Sequence, residues 1–301
     1  MNTAAGALQH VTAACASACF LRACELDVAV RKPGNVSRAS AGHGMQAELF
    51  VASARASVGP LFQPGARVGE RIEGAVHATW AVAGCNTNLG ILLLCAPIAR
   101  AIEQRPDATT PAALRAAIEE VLAELDLSDA QATYRAIAHA RPGGLGSASS
   151  EDVRGPAQVD LRAAMTLAAH RDSIARQYRD GYVDLFGLGL PALGSGFSLM
   201  AMPGAGGADI TNAAAVLRLY LTLLSRCVDS HIVRIHGDAV AHIVMAAAQG
   251  WRDKASRRDD LGDDPEFAAW DASLKADRIN PGTTADLTVA TLLIAGLSAV
   301  P

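Results

Sequence analysis

The stretch GCNTNLGILLLCAPIARAIEQ, residues 84–104, decides the fold class of this chain. A small polar turn at its start runs directly into an apolar segment. Leu89, Leu92 and Leu93 lie on one stripe at helical spacing, so the segment predicts a helix over residues 87–104. Because the apolar residues cover most of its surface, we expect this helix to be buried.

The composition of the whole chain also favours helices. Of the 301 residues, 50% are hydrophobic but only 4% are aromatic, and alanine dominates the apolar set. Alanine has the best helix propensity, whereas β-branched and aromatic residues favour strands. The composition therefore predicts an all-α fold.

Helical periodicity with clear breaks recurs along the chain and predicts a bundle of roughly ten helices. The expected helices cover residues 7–30, 45–58, 67–82, 87–104, 110–125, 128–140, 159–180, 212–228, 238–251, 265–277 and 284–299. Residues 141–158 form one long Gly/Pro loop, which could be a lid, and residues 181–207 are hard to assign. Since the composition does not change along the chain, we expect a single domain over residues 1–301.

The charges, the cysteines and the hydropathy of the chain exclude several classes of protein. A net charge of −4 with scattered basic residues argues against a nucleic-acid or anionic-membrane partner. The six cysteines form no CxxC pair, so neither a disulfide framework nor a zinc site is expected. Apolar stretches at residues 89–98 and 287–300 fall short of the roughly 20 residues that span a bilayer. With no signal-peptide pattern at residue 1 onward, we expect a cytoplasmic protein.

Four short polar segments interrupt the apolar background, at residues 31–38, 84–90, 229–238 and 277–286. At least three of them lead straight into a predicted helix. A helix N-terminus presents unpaired N–H groups and the positive end of the dipole, so it suits phosphate. Each segment alone could be a plain N-cap or turn. Their repetition predicts one end of the bundle that binds a polyphosphate.

The phosphate-binding candidates are of two kinds. Lys32, Arg38 and Arg234 carry positive charge that can neutralise phosphate oxygens. Small or polar residues that can approach or donate to a substrate make up the rest: Gly34, Asn35, His43, Asn86, Thr87, Asn88, Asn280, Gly282 and Thr284. His43 lies in a glycine turn and is expected to be exposed.

The catalytic and metal-ligand candidates are acidic residues and one histidine. Asp229, Asp238 and Asp286 offer hard oxygen ligands for the Mg²⁺ that accompanies ATP, and any of them could instead be a general base. Asp229, Asp238 and His231 are the catalytic candidates, although His231 could also be a satisfied core residue. Arg171 and Asp172 are interpreted as an ion pair within a helix.

Taken in order, the four segments resemble the triphosphoribosyl-dephospho-CoA synthase family, which makes the prosthetic-group precursor of citrate lyase and malonate decarboxylase. The family's Lys-Pro-Gly turn is matched by residues 32–34, and its Gly-x-Asn-Thr-x-x-Gly turn by residues 84–90. An Asp-Thr-Asn segment leading to Gly-Glu is matched more loosely within residues 229–238. The family's last motif, which contains Pro-Gly and ends in Ala-Asp-Leu, is matched by residues 280–287. The similarity extends over almost the whole chain.

The resemblance implies an all-helical enzyme that moves the 5-triphosphoribosyl group of ATP to a ribose hydroxyl of dephospho-CoA and releases adenine. It assigns Asp229 or Asp238 as base or metal ligand and Lys32 and Arg234 as phosphate ligands. The family's His-Lys pair is replaced by Asn88-Leu89, and its glycine-rich Arg-Gly-Gly-Glu-Gly-Gly run by residues 234–239.

These departures leave two other functions open. One is a nucleotide- or phosphate-dependent transferase or kinase in the biosynthesis of a one-carbon cofactor of the methanopterin or methylofuran type. The other is a non-catalytic nucleotide-binding helical protein. The acceptor, the product (adenine or ADP) and the oligomeric state stay open, with a homodimer as one option.

Overall fold

Helix α4 (Leu89–Gln104), which the opening stretch predicts, lies in the core of the computed structural model. The structure describes residues 10–147, 151–200 and 208–298, and within them it contains fourteen α-helices and no β-strand. The all-α prediction is confirmed, and the count of roughly ten helices was low. The other α-helices are α1 (Ala13–Ala29), α2 (Ala47–Leu61), α3 (Val68–Ala83), α5 (Pro111–Glu124), α6 (Leu127–Ala140), α7 (Leu161–Ala168), α8 (Ser173–Asp180), α9 (Leu190–Leu193), α10 (Ala208–Arg226), α11 (Ser230–His236), α12 (Asp238–Ala255), α13 (Pro265–Ala276) and α14 (Gly282–Ser298).

The count was low because one predicted helix is two helices and two segments not predicted as helical each contain a short one. Residues 159–180 form two helices, since Asp172 accepts hydrogen bonds from the N–H groups of Ile174 and Ala175 and thereby starts α8. The unassigned residues after 181 contain a π-helical turn, Leu185–Gly189, followed by α9. The polar segment at residues 229–238 contains the short helix α11. Parts of the predictions, residues 7–9, 148–150, 201–207 and 299, lie outside the described residues.

Two apolar helices form the centre of the fold. Helix α4 packs against α3, α5 and α14, while α14 also contacts α1 and α10. Both helices are buried on nearly every face, so their hydrophobic residues drive the assembly of the bundle. Thr288 and Thr291 of α14 satisfy their buried hydroxyl groups by donating to carbonyl oxygens one turn earlier, at distances of 2.8 Å.

Pro97 in the middle of α4 explains how a second part of the chain is fixed to this core. Proline has no N–H, so the carbonyl of Leu93 loses its helical partner. The buried hydroxyl of Tyr178 in α8 donates to that carbonyl at 2.6 Å, and Tyr182 donates to Leu94 O at 2.7 Å. These contacts attach the end of α8 and the residues after it to the middle of α4.

Within the described ranges, none of the helices combines the length and the apolar character needed to cross a membrane.

Candidate active site

A cavity of about 400 Å³ lies where four helices begin. The first turns of α4, α8, α11 and α14 line it, and residues of the loop between α6 and α7 border it. The prediction that polar turns at helix starts meet at one end of the bundle therefore describes the geometry well. The polar part of the cavity lining includes Asp27, Asn35, Asn86, Thr87, Arg171, Asp172, His231, Arg234, Asn280, Gly282 and Asp286.

The carboxylate of Asp286, on α14, is the unpaired acid of this cavity. Among the described residues, none donates a hydrogen bond to it or forms an ion pair with it. Burial raises the pKa of Asp286 well above its usual range, and the carboxylates of Asp229 and Asp27 raise it further. A buried carboxylate without a partner favours binding of a cation or of a group that becomes positive.

Gly90, in the first turn of α4, makes the room for this carboxylate. A methyl group at this position would overlap the carboxylate of Asp286 and would lie 2.7 Å from Ile174 Cδ1. The acid therefore lies directly against the bare backbone of α4. The N–H groups of Gly90 and Ile91 have no hydrogen-bond partner among the described residues, and both residues line the cavity.

The turn at residues 84–90 both caps helix α4 and lines the cavity, the two roles that its sequence left open. Asn86 Oδ1 accepts a hydrogen bond from Leu89 N at 3.1 Å, as an N-capping residue does. The hydroxyl of Thr87 donates to Ser53 Oγ at 2.7 Å, which ties the turn to α2. Both side chains also line the cavity. Asn88 does not line it: its amide Nδ2 is buried without a partner.

Asp229 lies outside the cavity, and both of its carboxylate oxygens are occupied. Oδ1 accepts from the N–H groups of His231 and Ile232, at 2.9 and 3.0 Å. Oδ2 accepts from the N–H and the hydroxyl of Thr284, at 2.7 and 2.8 Å. Burial raises the pKa of Asp229, whereas these donors act in the opposite direction. The residue joins the starts of α11 and α14, and it withdraws Thr284 and three N–H groups from any ligand.

His231 is the predicted catalytic residue that does line the cavity. Burial, together with the positive charges of neighbouring Arg234, His43 and His236, lowers its pKa to about 4. Its imidazole is therefore neutral at neutral pH, and one ring nitrogen can accept a proton.

Two arginines supply positive charge at the cavity. Arg234 donates to Asp172 Oδ2 at 2.8 Å, and its buried Nε has no partner among the described atoms. Arg171 is exposed and lines the cavity, and its guanidinium forms no hydrogen bond or ion pair with a described residue. The interpretation of Arg171 and Asp172 as an internal ion pair was wrong, because Asp172 starts α8 and pairs with Arg234 instead.

A buried lysine stands behind the cavity wall. The ammonium of Lys32 is fully buried and donates to Asp27 Oδ1 and, at 2.9 Å, to Asn35 Oδ1. Burial lowers the pKa of Lys32 and raises that of Asp27, while their mutual attraction opposes both changes. Lys32 does not line the cavity, so the structure gives no support to its predicted contact with phosphate.

Several other predicted residues also lie away from the cavity. Gly34 packs against a neighbouring segment, where an added methyl group would lie 2.7 Å from Pro281 Cδ. His43 Nε2 hydrogen-bonds to Gly34 O at 2.8 Å, and Arg38 is exposed. The side chain of Asp238 is 74% exposed and pairs with His242. The structure thus separates Asp238 from Asp286, and it contains no cluster of three His, Cys, Asp or Glu residues suited to a metal among the described residues.

Sequence reasoning missed other polar residues of the cavity besides Arg171, among them Asp27 and Glu151. Asp27 is a buried acid between the apolar residues Leu26 and Val28 of α1, five residues before Lys32, and that position is a usable signal. Glu151, in the loop between α6 and α7, accepts a hydrogen bond from the hydroxyl of Tyr134 at 2.9 Å. No motif of the sequence marks this contact.

The remaining wall of the cavity is apolar. It is formed mainly by α6, α7 and α8, which contribute Ile137, Leu161, Ala164, Met165, Ala168, Ile174 and Ala175. A cavity with one charged and one apolar wall suits a ligand that has both characters, such as a nucleotide.

Comparisons with known proteins identify the family of the chain. The sequence matches the CitG family, described as ATP:dephospho-CoA triphosphoribosyl transferase, over residues 13–300. No curated protein matches the chain. The fold is similar to a crystal structure from Archaeoglobus fulgidus that carries the name triphosphoribosyl-dephospho-CoA synthase, with a TM-score of 0.61 and 22% identity. The match covers 83% of this chain and 98% of that one. Because the family match spans nearly the whole sequence, the chain belongs to the ATP:dephospho-CoA triphosphoribosyl transferase family.

Proposed function

We propose that this transferase binds ATP in the cavity at the starts of α4, α8, α11 and α14 and moves its 5-triphosphoribosyl group to dephospho-CoA. The C1′–N9 bond of ATP breaks, a bond forms between C1′ and a ribose hydroxyl of dephospho-CoA, and adenine leaves with a proton. The unpaired carboxylate of Asp286 against Gly90 is the observation that carries this proposal.

The triphosphate is bound by groups that have no internal partner. The N–H groups of Gly90 and Ile91 point out of the positive end of α4, which favours an anion. The guanidinium groups of Arg171 and Arg234 line the same cavity and can each donate two parallel hydrogen bonds to phosphate oxygens. The other helix starts contribute less, because Asp172 and Asp229 already accept from their N–H groups.

Asp286 and His231 carry the chemistry. Breaking an N-glycosidic bond builds positive charge on the sugar, which a carboxylate in a low-dielectric cavity stabilises. Burial raises the pKa of Asp286, and a positive charge that develops beside it acts in the opposite direction and favours the ionised carboxylate. The neutral imidazole of His231 accepts the proton of the attacking hydroxyl. That proton balances the one that adenine takes up.

The donor set of the cavity fits one Mg²⁺ ion shared with the nucleotide. Mg²⁺ is commonly held by one or two carboxylates together with substrate phosphates, not by a complete protein cage. Asp286 lines the cavity without a partner, and Asp27 lines it with an oxygen, Oδ2, that accepts from no described residue. When bound, the ion would neutralise phosphate charge; the chain's part is to hold these two carboxylates in the cavity wall.

Three further expectations accompany this function. The apolar wall formed by α6, α7 and α8 would bind the adenine ring or the apolar part of dephospho-CoA. The loop at residues 141–158, whose described parts on both sides of residues 148–150 border the cavity, stays a predicted lid. A cytoplasmic location and a homodimer also stay predictions.

The proposal is tested by incubating the protein with ATP, MgCl₂ and dephospho-CoA and measuring adenine by chromatography and the product by mass spectrometry. Adenine and product should form in equal amounts, and omission of dephospho-CoA should abolish the product. Asp286→Asn should reduce the rate about 100-fold or more, as loss of a catalytic charge does. Asp263→Asn, an exposed control on the described surface, should retain the wild-type rate. ATP binding without release of adenine would contradict the proposed reaction.

A further inference from the structure

A chain of hydrogen bonds connects the buried ammonium of Lys32 to the surface of the cavity. Lys32 Nζ donates to Asn35 Oδ1 at 2.9 Å. Asn35 Nδ2 donates in turn to Asn280 Oδ1 at 2.9 Å, and Asn280 lines the cavity. Lys32 and Asn35 lie in the segment at residues 31–38, and Asn280 lies just before α14.

The chemistry of these groups fixes the direction of every hydrogen bond in the chain. A lysine ammonium has three donors and no acceptor, so the Asn35 atom that faces it must be the oxygen. The Asn35 amide nitrogen then faces Asn280, which must present its own oxygen to receive the hydrogen bond. The Asn280 amide nitrogen is therefore the atom left over. No described residue accepts a hydrogen bond from it.

The orientation is held in place by burial and by charge. Lys32 is fully buried, and its ion pair with Asp27 leaves it no freedom to turn away from Asn35. Asn35 is 7% exposed, so a reversed amide would bring its nitrogen against the ammonium without a water to intervene. Reversal of Asn280 would likewise bring two amide nitrogens together.

We propose that Lys32 is a positioning residue that acts through Asn35 to make Asn280 present an N–H donor, not a carbonyl acceptor, to an oxygen of the bound nucleotide. The role rests on ATP binding in this cavity as set out above. It replaces the direct phosphate contact predicted for Lys32, and it explains why a lysine so close to the cavity is fully buried. The donor selects for a substrate oxygen that only accepts hydrogen bonds, such as a phosphate oxygen.

A double-mutant cycle on ATP binding, measured by titration calorimetry without dephospho-CoA, tests this mechanism. Asn280→Ala should weaken ATP binding about 10-fold, the effect of one hydrogen bond to a charged group. Asn35→Ala frees the Asn280 amide to turn and should also weaken binding. In the Asn280→Ala background, the additional substitution Asn35→Ala should weaken ATP binding by less than about 2-fold, because its effect passes through Asn280. Additive losses would mean that Asn35 contacts ATP directly, and would overturn the proposal.

The side-chain amide signals in a ¹⁵N-correlated NMR spectrum provide a second readout that does not require enzyme activity. The Asn280 signal is identified by its absence in Asn280→Ala, and the Asn35 signal by its absence in Asn35→Ala. In the free protein the Asn35 amide protons should exchange slowly and the Asn280 protons quickly. ATP should shift the Asn280 signal. A slowly exchanging Asn280 amide in the free protein would overturn the proposed direction of the chain.

The two readouts separate failure of this inference from failure of the proposed function. If wild-type protein neither binds ATP nor releases adenine, the proposed function fails. The amide exchange rates of the free protein still decide the direction of the hydrogen bonds from Lys32 to Asn280. If wild-type protein binds ATP and Asn280→Ala binds it equally well, the inference fails and the proposed function stands.

Discussion

The absence of a side chain at position 90 allows the carboxylate of Asp286 to lie against the backbone of α4, which is the main chemical feature of this site. Asp286 lies against the α4 backbone, where only a glycine leaves space for its carboxylate. The sequence identified both residues, Gly90 as the end of a polar turn and Asp286 as an acid near a helix start. It could not show that they touch, because 196 positions (286 − 90) separate them in the chain.

Gly90→Ala should therefore impair the reaction more than the fold. The added methyl group must displace the carboxylate of Asp286 or the side chain of Ile174, at a stability cost of about 1–3 kcal/mol. Adenine release should fall by at least 10-fold, since the catalytic charge moves. Gly250→Ala on α12, where an added methyl group meets nothing within 4 Å, is the control and should leave both properties intact or raise stability slightly. Equal rates for the two variants would contradict the position assigned to Asp286.

His231 gives a prediction about pH. Its pKa is about 4 in the folded protein, against an ordinary value of 6.5. Between these values the unfolded chain binds a proton that the folded chain does not, so this residue lowers the free energy of unfolding as the pH falls from 6.5 to 4. The contribution is at most about 3 kcal/mol. The free energy of unfolding, measured with urea at pH 7 and at pH 4.5, should fall less between these two values in His231→Gln than in wild type. His10→Gln, at an exposed position, is the control, and parallel losses for His231→Gln and wild type would refute the assignment.

At the scale of elements, two aspartates with similar sequence settings have different tasks. Asp229 and Asp238 each precede or begin a helix, so the sequence assigned both as base or metal ligand. The structure distinguishes them because α11 begins beside the start of α14, which brings Thr284 to Asp229. Asp238 begins α12 on the surface. Periodicity predicted most helices but not the contacts between their ends, since these contacts depend on packing between distant segments.

The two aspartates should differ strongly in their effect on stability. Asp229→Ala removes four hydrogen bonds and leaves buried donors at the starts of α11 and α14, so the free energy of unfolding should fall by about 2–4 kcal/mol. Asp238→Ala removes an exposed charge near a helix start and should cost less than about 1 kcal/mol. Urea unfolding of both variants measures the difference. Similar losses would show that the link between α11 and α14 contributes little.

At the scale of the whole molecule, the cavity is assembled from residues that run from Asp27 to Asp286. Sequence reasoning found its polar turns because each has a local signature of glycine, asparagine and threonine at a helix start. It did not find Arg171 or the apolar wall of α6, α7 and α8. Such residues look like ordinary surface or core positions until the helices pack, and local patterns do not encode that packing.

A ligand held by so many helices should stabilise the molecule as a unit. ATP at 100 times its dissociation constant adds about 2.7 kcal/mol to the free energy of unfolding, which corresponds to a Tm increase of about 4 °C for a chain of this size. The increase should appear as one cooperative transition in thermal unfolding. Arg171→Ala should leave the Tm of the free protein unchanged, because the exposed guanidinium forms no hydrogen bond or ion pair with a described residue. At the same ATP concentration this variant should lose about half of the increase. Arg257→Ala, an exposed residue outside the cavity, should keep the full increase. If the two variants respond alike, Arg171 does not bind the nucleotide, and the triphosphate must be held by α4 and Arg234 alone.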